Sequence, residues 1–157
     1  MSSQHPRRLI FICTGNLCRS PMAEYLMRHH LRGVRGWSIA SAGLFAAAGL
    51  PASAPAVEVL SEKGIDLTPH RSRLLTKDMV DSAALLVVMT RFHATELKAR
   101  YPAAAGKVRM LSDFGDGATR DIPDPIGGSV EVYRTIRDEI NSALLDLVLF
   151  LKGGEFK

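Results

Sequence analysis

Uninterrupted apolar runs alternate along this chain with longer stretches in which apolar and polar residues are mixed. The runs at residues 9–13 and 85–89 contain only apolar side chains, which is typical of strands buried on both faces of a sheet. Residues 37–40 and 108–111 are shorter segments with one polar residue each. The sequence therefore predicts four strands.

Between the predicted strands, apolar residues recur at the spacing of helices. The first helix opens at Ser20-Pro21, since serine caps helices and proline suits their first turn, and it runs to Gly33. Two further helices end at Gly64 and Arg100. Ser129 caps the last helix, and its apolar face carries Ile136, Ile140, Leu144, Leu147 and Leu151.

Strands that alternate with helices are typical of a parallel sheet covered by helices on both faces. The sequence predicts a single α/β domain of four parallel strands over residues 1–157, with residues 1–7 as a flexible tail. Ligands of such folds bind beyond the carboxyl ends of the strands, where Cys13 follows the first strand.

The composition narrows the classes of function. Apolar residues make up 46% of the chain and charged residues 23%, as in a packed globule. No apolar stretch has the roughly 18 residues of a membrane span, and no signal segment is evident, so we expect a cytoplasmic protein without membrane insertion. The net charge of +4 is dispersed and aromatic residues are only 6%, which disfavours a nucleic-acid partner and suits anionic substrates.

Two cysteines, Cys13 and Cys18, are too few and too close together to staple a secreted domain. A structural zinc site would need two more ligands, and the five histidines offer no matching pair. We therefore expect neither a metal nor another cofactor.

The segment from Cys13 to Ser20 joins the first strand to a helix, so its backbone N–H groups can form an anion-binding nest. Arg19 can add a planar fork of donors for two phosphate oxygens. Such a field favours the thiolate of Cys13, which would face a bound phosphate. A cysteine six residues before an arginine is weak evidence alone, and the alternative is a buried cysteine beside a surface arginine. The strand end, the glycine and the Ser-Pro helix opening favour covalent phosphoryl transfer.

Residues 13–21, CTGNLCRSP, closely resemble the signature of low-molecular-weight protein tyrosine phosphatases, in particular the bacterial branch. The resemblance covers nearly the whole chain. It also includes Ser41-Ala42-Gly43, Pro69-His70 with Arg73, and Asp124-Pro125-Ile126-Gly127.

The resemblance implies a metal-independent hydrolase with three catalytic residues. Cys13 is the implied nucleophile, Arg19 holds the phosphoryl oxygens, and Asp124 protonates the leaving oxygen and then activates water. Asp121 and Asp113, in the same loop as Asp124, are alternatives that could equally be turn residues. Further residues are implied in phosphate binding: Thr14, Gly15, Asn16, Leu17, Cys18 and Ser20, the last as a donor to the thiolate.

Other positions have supporting roles by the same resemblance. Asn16, Ser41 and His70 belong to a polar network that shapes the loop. Cys18 is either a packed side chain or a redox partner of Cys13. Eukaryotic members carry an aromatic residue after Asp-Pro, whereas this chain has Ile126; with Phe45 it is a candidate wall of the substrate slot.

The resemblance implies a phosphorylated protein as substrate, most simply one bearing phosphotyrosine. A protein-arginine phosphatase is the first alternative, although that branch has threonine at the position of Leu17. An arsenate reductase would need cysteines after Cys18, and the chain has none. A phosphate-binding module without turnover would not need Cys13, Arg19 and Asp124 together. The oligomeric state and the physiological substrate stay open.

Overall fold

Four parallel strands form the central sheet of the computed structural model, which describes residues 5–114 and 119–153. In spatial order β2-β1-β3-β4, the strands are Trp37–Gly43 (β2), Arg7–Cys13 (β1), Leu85–Val88 (β3) and Val108–Met110 (β4). The predicted four-stranded parallel sheet is confirmed. Because β1 lies inside the sheet, its carboxyl end at Cys13 has neighbours on both sides.

Helices cover both faces of the sheet, as predicted. The helices are α1 (Arg19–His30), α2 (Ala54–Ser61), α3 (Lys77–Ser82), α4 (Arg91–Arg100) and α5 (Val130–Lys152). Alternate residues of β1 point to opposite faces. Leu9, Phe11 and Cys13 pack with residues of α1, α2 and α5, whereas Ile10 and Ile12 pack with residues of α3 and α4.

The structure departs from the predicted elements at several boundaries. β2 runs to Gly43 instead of residue 40, and β4 stops at Met110 because Leu111 begins a 3₁₀ turn, Leu111–Phe114. β1 begins at Arg7, inside the predicted tail, of which residues 1–4 lie outside the described residues. The sequence did not predict α3, whose six residues bury only Val80 and so show no helical periodicity.

A second 3₁₀ helix, Pro102–Lys107, follows α4. Within the described ranges, no helix has the length and apolar character needed to cross a membrane.

An ionic cluster joins the end of α2 to α5. Glu62, which follows α2, accepts hydrogen bonds from Arg134 Nη2 at 2.6 Å and from Arg137 Nη1 at 2.6 Å. The Arg137 side chain is only 6% exposed and also donates to the Val59 carbonyl at 2.9 Å. The hydrogen bonds from Arg134 and Arg137 lower the pKa of Glu62 to about 2.

This cluster predicts an acid-dependent loss of stability. Folding lowers the Glu62 pKa from 4.5 to about 2. The ionised Glu62 carboxylate therefore contributes fully to the free energy of unfolding above about pH 4.5, and this contribution is lost as the pH falls through about 2. Glu62→Gln should therefore reduce the free energy of unfolding most near neutral pH. The difference from the native protein should shrink between about pH 4.5 and pH 2 in urea titrations.

The matched control is Glu131→Gln, which removes a carboxylate that is 85% exposed and 3.9 Å from Arg134. Exposed ion pairs contribute little to the free energy of unfolding, so Glu131→Gln should unfold at the same urea concentration as the native protein. An effect of Glu62→Gln that is equal at every pH would contradict the assignment.

Candidate active site

The loop between β1 and α1 brings the predicted nucleophile to the start of a helix. Cys13 is the last residue of β1 and Arg19 the first residue of α1, so five residues connect the two elements. Cys13 is 2% exposed, and its sulfur lies 2.9 Å from Ser20 Oγ. A thiolate carries no proton, so the Ser20 hydroxyl donates to it when Cys13 is ionised.

Asn16 turns the loop through a left-handed backbone conformation. Its φ of +59° is the one positive value among the described non-glycine residues, and asparagine tolerates this region better than most residues. The buried side chain amide donates to Ser20 Oγ at 2.8 Å and to Ser41 Oγ at 3.0 Å. Its Oδ1 accepts from the Arg73 N–H at 3.0 Å. The Asn16 side chain is thus held by hydrogen bonds to helix α1, to strand β2 and to the segment at residue 73.

The network continues on both sides of Asn16. His70 Nε2 donates to the Asn16 carbonyl at 2.8 Å, and burial lowers the His70 pKa. Ser41 Oγ donates to Glu24 Oε1 at 2.5 Å, and Glu24 also pairs with Arg28. The structure therefore brings Asn16, Ser41 and His70 together, and it adds Glu24, which is buried.

Glu24 was missed in the sequence, although a signal for it exists. It is the sole acidic residue of α1, and it follows Ser20 by four positions, on the same helix face.

Gly43 permits the end of β2 to lie against the loop. A Cβ atom at this position would be 2.5 Å from the Thr14 carbonyl oxygen and 3.0 Å from the Asn16 nitrogen. The next two residues bond to the loop directly, since Leu44 N–H donates to the Cys13 carbonyl and Phe45 N–H to the Thr14 carbonyl, each at 3.0 Å. This contact explains the glycine of Ser41-Ala42-Gly43.

Arg19 connects the loop to the segment that carries Asp124. The guanidinium is almost fully buried; Nη1 donates to the Ile122 carbonyl at 3.0 Å, and Nη2 lies 3.6 Å from Asp124 Oδ2. The Asp124 side chain is 44% exposed, and its Oδ1 accepts from the Ile126 N–H at 3.1 Å. Asp124 is thus oriented at the mouth of the site and remains open to solvent.

The two alternative acids have other contacts. Asp121 Oδ1 accepts from the Arg91 N–H at 2.9 Å, at the start of α4. Asp113 accepts from the Met110 N–H at 3.3 Å and from Thr119 Oγ1 at 2.8 Å, within a turn. Of the three carboxylates, Asp124 is the one that lines the cavity over Cys13.

A cavity of about 160 Å³ opens over Cys13. The predicted phosphate-binding residues divide into two groups, because some line this cavity and Asn16 and Ser20 are buried beneath it. The lining comprises Cys13, Thr14, Gly15, Leu17, Cys18, Arg19, Asp124 and Ile126.

The two candidate slot walls differ in position. Ile126 lines the cavity and is 57% exposed. Phe45 is not among the lining residues; its ring stacks on Phe92 with centroids 6.4 Å apart, and the Arg100 guanidinium lies 4.5 Å from its centroid. Phe45 and Phe92 form an exposed aromatic pair beside the loop.

Cys18 has a polar surrounding that the sequence did not indicate. Its sulfur lies 3.3 Å from Ser53 Oγ and 3.2 Å from the Tyr133 hydroxyl. Burial raises the Cys18 pKa, which keeps this thiol protonated, and burial also raises the pKa of Tyr133 to about 12. Both cysteines are free thiols.

The arrangement can hold a tetrahedral anion. The amino end of α1 presents unpaired N–H groups and a partial positive charge, and Arg19 adds a full positive charge. The Cys13 sulfur lies at the base and the Asp124 carboxylate at the mouth, as a displacement at phosphorus requires. Over the described ranges, no three His, Cys, Asp or Glu side chains form a group that could hold a metal ion.

Comparisons with known proteins agree with this geometry. A family model described as low molecular weight phosphotyrosine protein phosphatase matches residues 8–154. A protein-arginine-phosphatase of Geobacillus stearothermophilus is 44% identical over 88% of this chain and 92% of its own length. The probable low molecular weight protein-tyrosine-phosphatase EpsP of Ralstonia solanacearum is 42% identical over 76% of this chain and 78% of its own.

A solved structure adds direct chemical information. A YwlE arginine phosphatase mutant with a phosphorylated active-site serine superposes with a TM-score of 0.90 at 38% identity, covering 94% of this chain and 97% of that one. The family predicted from the motifs is confirmed by these matches. The chain belongs to the low molecular weight phosphotyrosine protein phosphatase family, and it is a cysteine-dependent phosphatase.

Proposed function

We propose that this protein hydrolyses phosphotyrosine in proteins. The observation that carries the proposal is the apolar part of the cavity lining, to which Leu17 and Ile126 contribute beside Cys13. An apolar lining suits the faces of a phenyl ring, and the burial of Cys13 suits a phosphorus one ring length from the peptide. The family supports a phosphorylated protein as the substrate class.

The reaction proceeds in two displacements. The Cys13 thiolate attacks phosphorus, and the bond to the phenolic oxygen breaks as Asp124 gives that oxygen a proton. The loop N–H groups and Arg19 stabilise the equatorial oxygens. Asp124 then removes a proton from water, which attacks the phosphocysteine, and the sulfur leaves as a thiolate stabilised by Ser20. The phosphorylated active-site serine of the YwlE mutant supports a phosphoenzyme at the same position of this chain.

Phosphoarginine is the second candidate substrate. The favouring observation is the 44% identity with a protein-arginine-phosphatase. The guanidinium of phosphoarginine is planar and polar, so its nitrogens require hydrogen-bond acceptors close to the loop. The Asp124 carboxylate is an acceptor in the lining, but Leu17 and Ile126 supply only apolar contact, and we therefore rank this substrate second.

The aromatic pair of Phe45 and Phe92 extends the proposed substrate surface. Their side chains are 54% and 57% exposed, and Phe45 bonds to Thr14 through its backbone. We assign the pair to contacts with substrate residues that flank the phosphorylated one, instead of to the slot itself. Since the chemistry needs reduced Cys13, we place the enzyme in the reducing cytoplasm.

Substrate preference is tested by comparing kcat/KM on peptides of one sequence bearing phosphotyrosine, phosphoarginine or phosphoserine. We expect phosphotyrosine to be hydrolysed fastest and phosphoserine slowest, because its phosphorus lies too close to the peptide backbone. Leu17→Thr should shift the ratio towards phosphoarginine by adding a hydroxyl at the mouth, whereas Leu17→Ile keeps the lining apolar and should not. Equal or faster hydrolysis of phosphoarginine by the native protein would overturn the proposed substrate and leave the mechanism intact.

The proposed general acid is tested through the leaving group. Asp124→Asn should slow phenyl phosphate about 10²- to 10⁴-fold and p-nitrophenyl phosphate much less, since nitrophenolate leaves without protonation. Asp121→Asn is the matched control, because Asp121 accepts from the Arg91 N–H at the start of α4, and this variant should retain the native ratio of the two rates. If the leaving-group dependence followed Asp121 and not Asp124, the assignment of the acid would be wrong.

Peroxide should inactivate the enzyme reversibly through Cys13 and Cys18. Peroxide oxidises the Cys13 thiolate to a sulfenic acid, and the Cys18 thiol then displaces hydroxide, so that a disulfide and water form. Mass spectrometry should show the loss of two hydrogens, and dithiothreitol should restore activity. In Cys18→Ser, the same treatment should carry Cys13 on to the sulfinic and sulfonic acids. Sulfonic acid as the main product in the native protein would refute protection by Cys18.

A further inference from the structure

His93 is buried against the phosphate-binding loop. It lies in the first turn of α4, where its N–H donates to Oγ1 of the capping residue Thr90 at 3.1 Å. The side chain is 1% exposed, and Nε2 lies 2.9 Å from Thr14 Oγ1. Thr14 is the residue next to the nucleophile and lines the cavity. No motif in the sequence connects position 93 with position 14.

The second ring nitrogen of His93 selects the tautomer. Nδ1 is the one buried side-chain nitrogen or oxygen without a hydrogen-bond partner among the residues that the structure describes. A proton on Nδ1 would be a buried donor without an acceptor, while Nε2 would have to accept from Thr14. With the proton on Nε2, the ring donates to Thr14 Oγ1 and leaves only a bare lone pair at Nδ1.

The His93 imidazole is uncharged near neutral pH. Burial, followed by the positive charge of Arg19, lowers the His93 pKa to about 4, against the opposing effect of Asp121 and Asp124. A neutral ring near Arg19 avoids a second positive charge beside the guanidinium. It also means that His93 does not exchange protons near neutral pH.

We propose that His93 is a positioning residue of the phosphatase reaction, which orients the Thr14 hydroxyl as a donor to the phosphoryl group. Once Thr14 Oγ1 accepts from His93 Nε2, its own proton remains available for an oxygen of the anion in the cavity. The Thr14 backbone is held from the other side, because its carbonyl accepts from the Phe45 N–H at 3.0 Å.

The same helix end is tied to the segment of the general acid. Asp121 accepts from the Arg91 N–H, and the Ile122 N–H donates to the Met89 carbonyl at 2.9 Å. The junction of β3 and α4, which carries His93, therefore also holds the segment that leads to Asp124. Loss of the His93 side chain should lower kcat more than it raises KM. The hydrogen bond from the Thr14 hydroxyl stabilises the phosphoryl oxygens most in the transition state.

A double-mutant cycle with p-nitrophenyl phosphate tests the proposal. We expect His93→Leu and Thr14→Val each to lower kcat by about 3- to 30-fold, the range of one hydrogen bond at a functional site. The double variant should be no slower than the slower single variant, because both changes remove the same bond. His93→Gln retains an N–H donor at a similar reach and should recover most of the loss.

Two further measurements separate positioning from a structural role. Leu97→Ala loosens the buried side of the same helix, so it should lower the melting temperature without the fall in kcat. The pH limbs of kcat/KM for His93→Gln should coincide with those of the native enzyme, since His93 transfers no proton.

Three results would overturn the proposal. Losses that multiply in the double variant, a loss in His93→Leu that only follows the fraction of folded protein, or a shifted pH limb would each exclude the assigned role. If His93→Leu does not fold, Thr14→Val still tests the proposal, because a native kcat in Thr14→Val would refute it. The proposal rests on the phosphatase reaction and not on the choice of phosphotyrosine. A failed tyrosine preference would leave p-nitrophenyl phosphate turnover and the cycle unchanged.

Discussion

The left-handed backbone of Asn16 is the constraint on which the site depends. At a φ of +59° the chain turns sharply enough for the residues between Cys13 and Arg19 to enclose one anion. This conformation costs free energy, and four hydrogen bonds of Asn16 offset that cost: it donates to Ser20 and Ser41 and accepts from His70 and the Arg73 N–H. Because the loop is held from beneath, the upper side of its backbone stays available for the substrate.

Burial makes this network sensitive to single changes. Asn16, Ser20, Ser41, Glu24 and His70 are all at most 5% exposed, so a lost partner would leave a polar group unsatisfied in a low dielectric. The Glu24 carboxylate is tolerable in this position because Ser41 and Arg28 meet its charge. The site is therefore rigid before substrate arrives, and stabilisation of the transferring phosphoryl group requires little reorganisation.

The sequence predicts those elements of the fold whose buried residues form a regular pattern of apolar positions along the chain. The apolar runs predicted β1 and β3, and the 3.6-residue period predicted α1 and α5, but α3 buries too little to be recognised. At the site, the motifs indicated the loop and Asp124. Glu24 has a local signal in its spacing of four residues from Ser20 on α1. Ser53, Tyr133 and His93 contact the loop from distant positions, and pairwise contacts of this kind leave no local signal in one sequence.

The loop separates the chemistry of the reaction from the recognition of the substrate. In the proposed mechanism, binding of the phosphoryl group uses backbone N–H groups and Arg19, which do not depend on the side chain at position 17. The Leu17 side chain lines the cavity and packs against the core, while the buried contacts of Asn16 lie beneath the loop. A change at this position can therefore alter the substrate without disturbing the anion site. This separation agrees with a fold whose relatives are named for arginine and for tyrosine at similar identities of 44% and 42%.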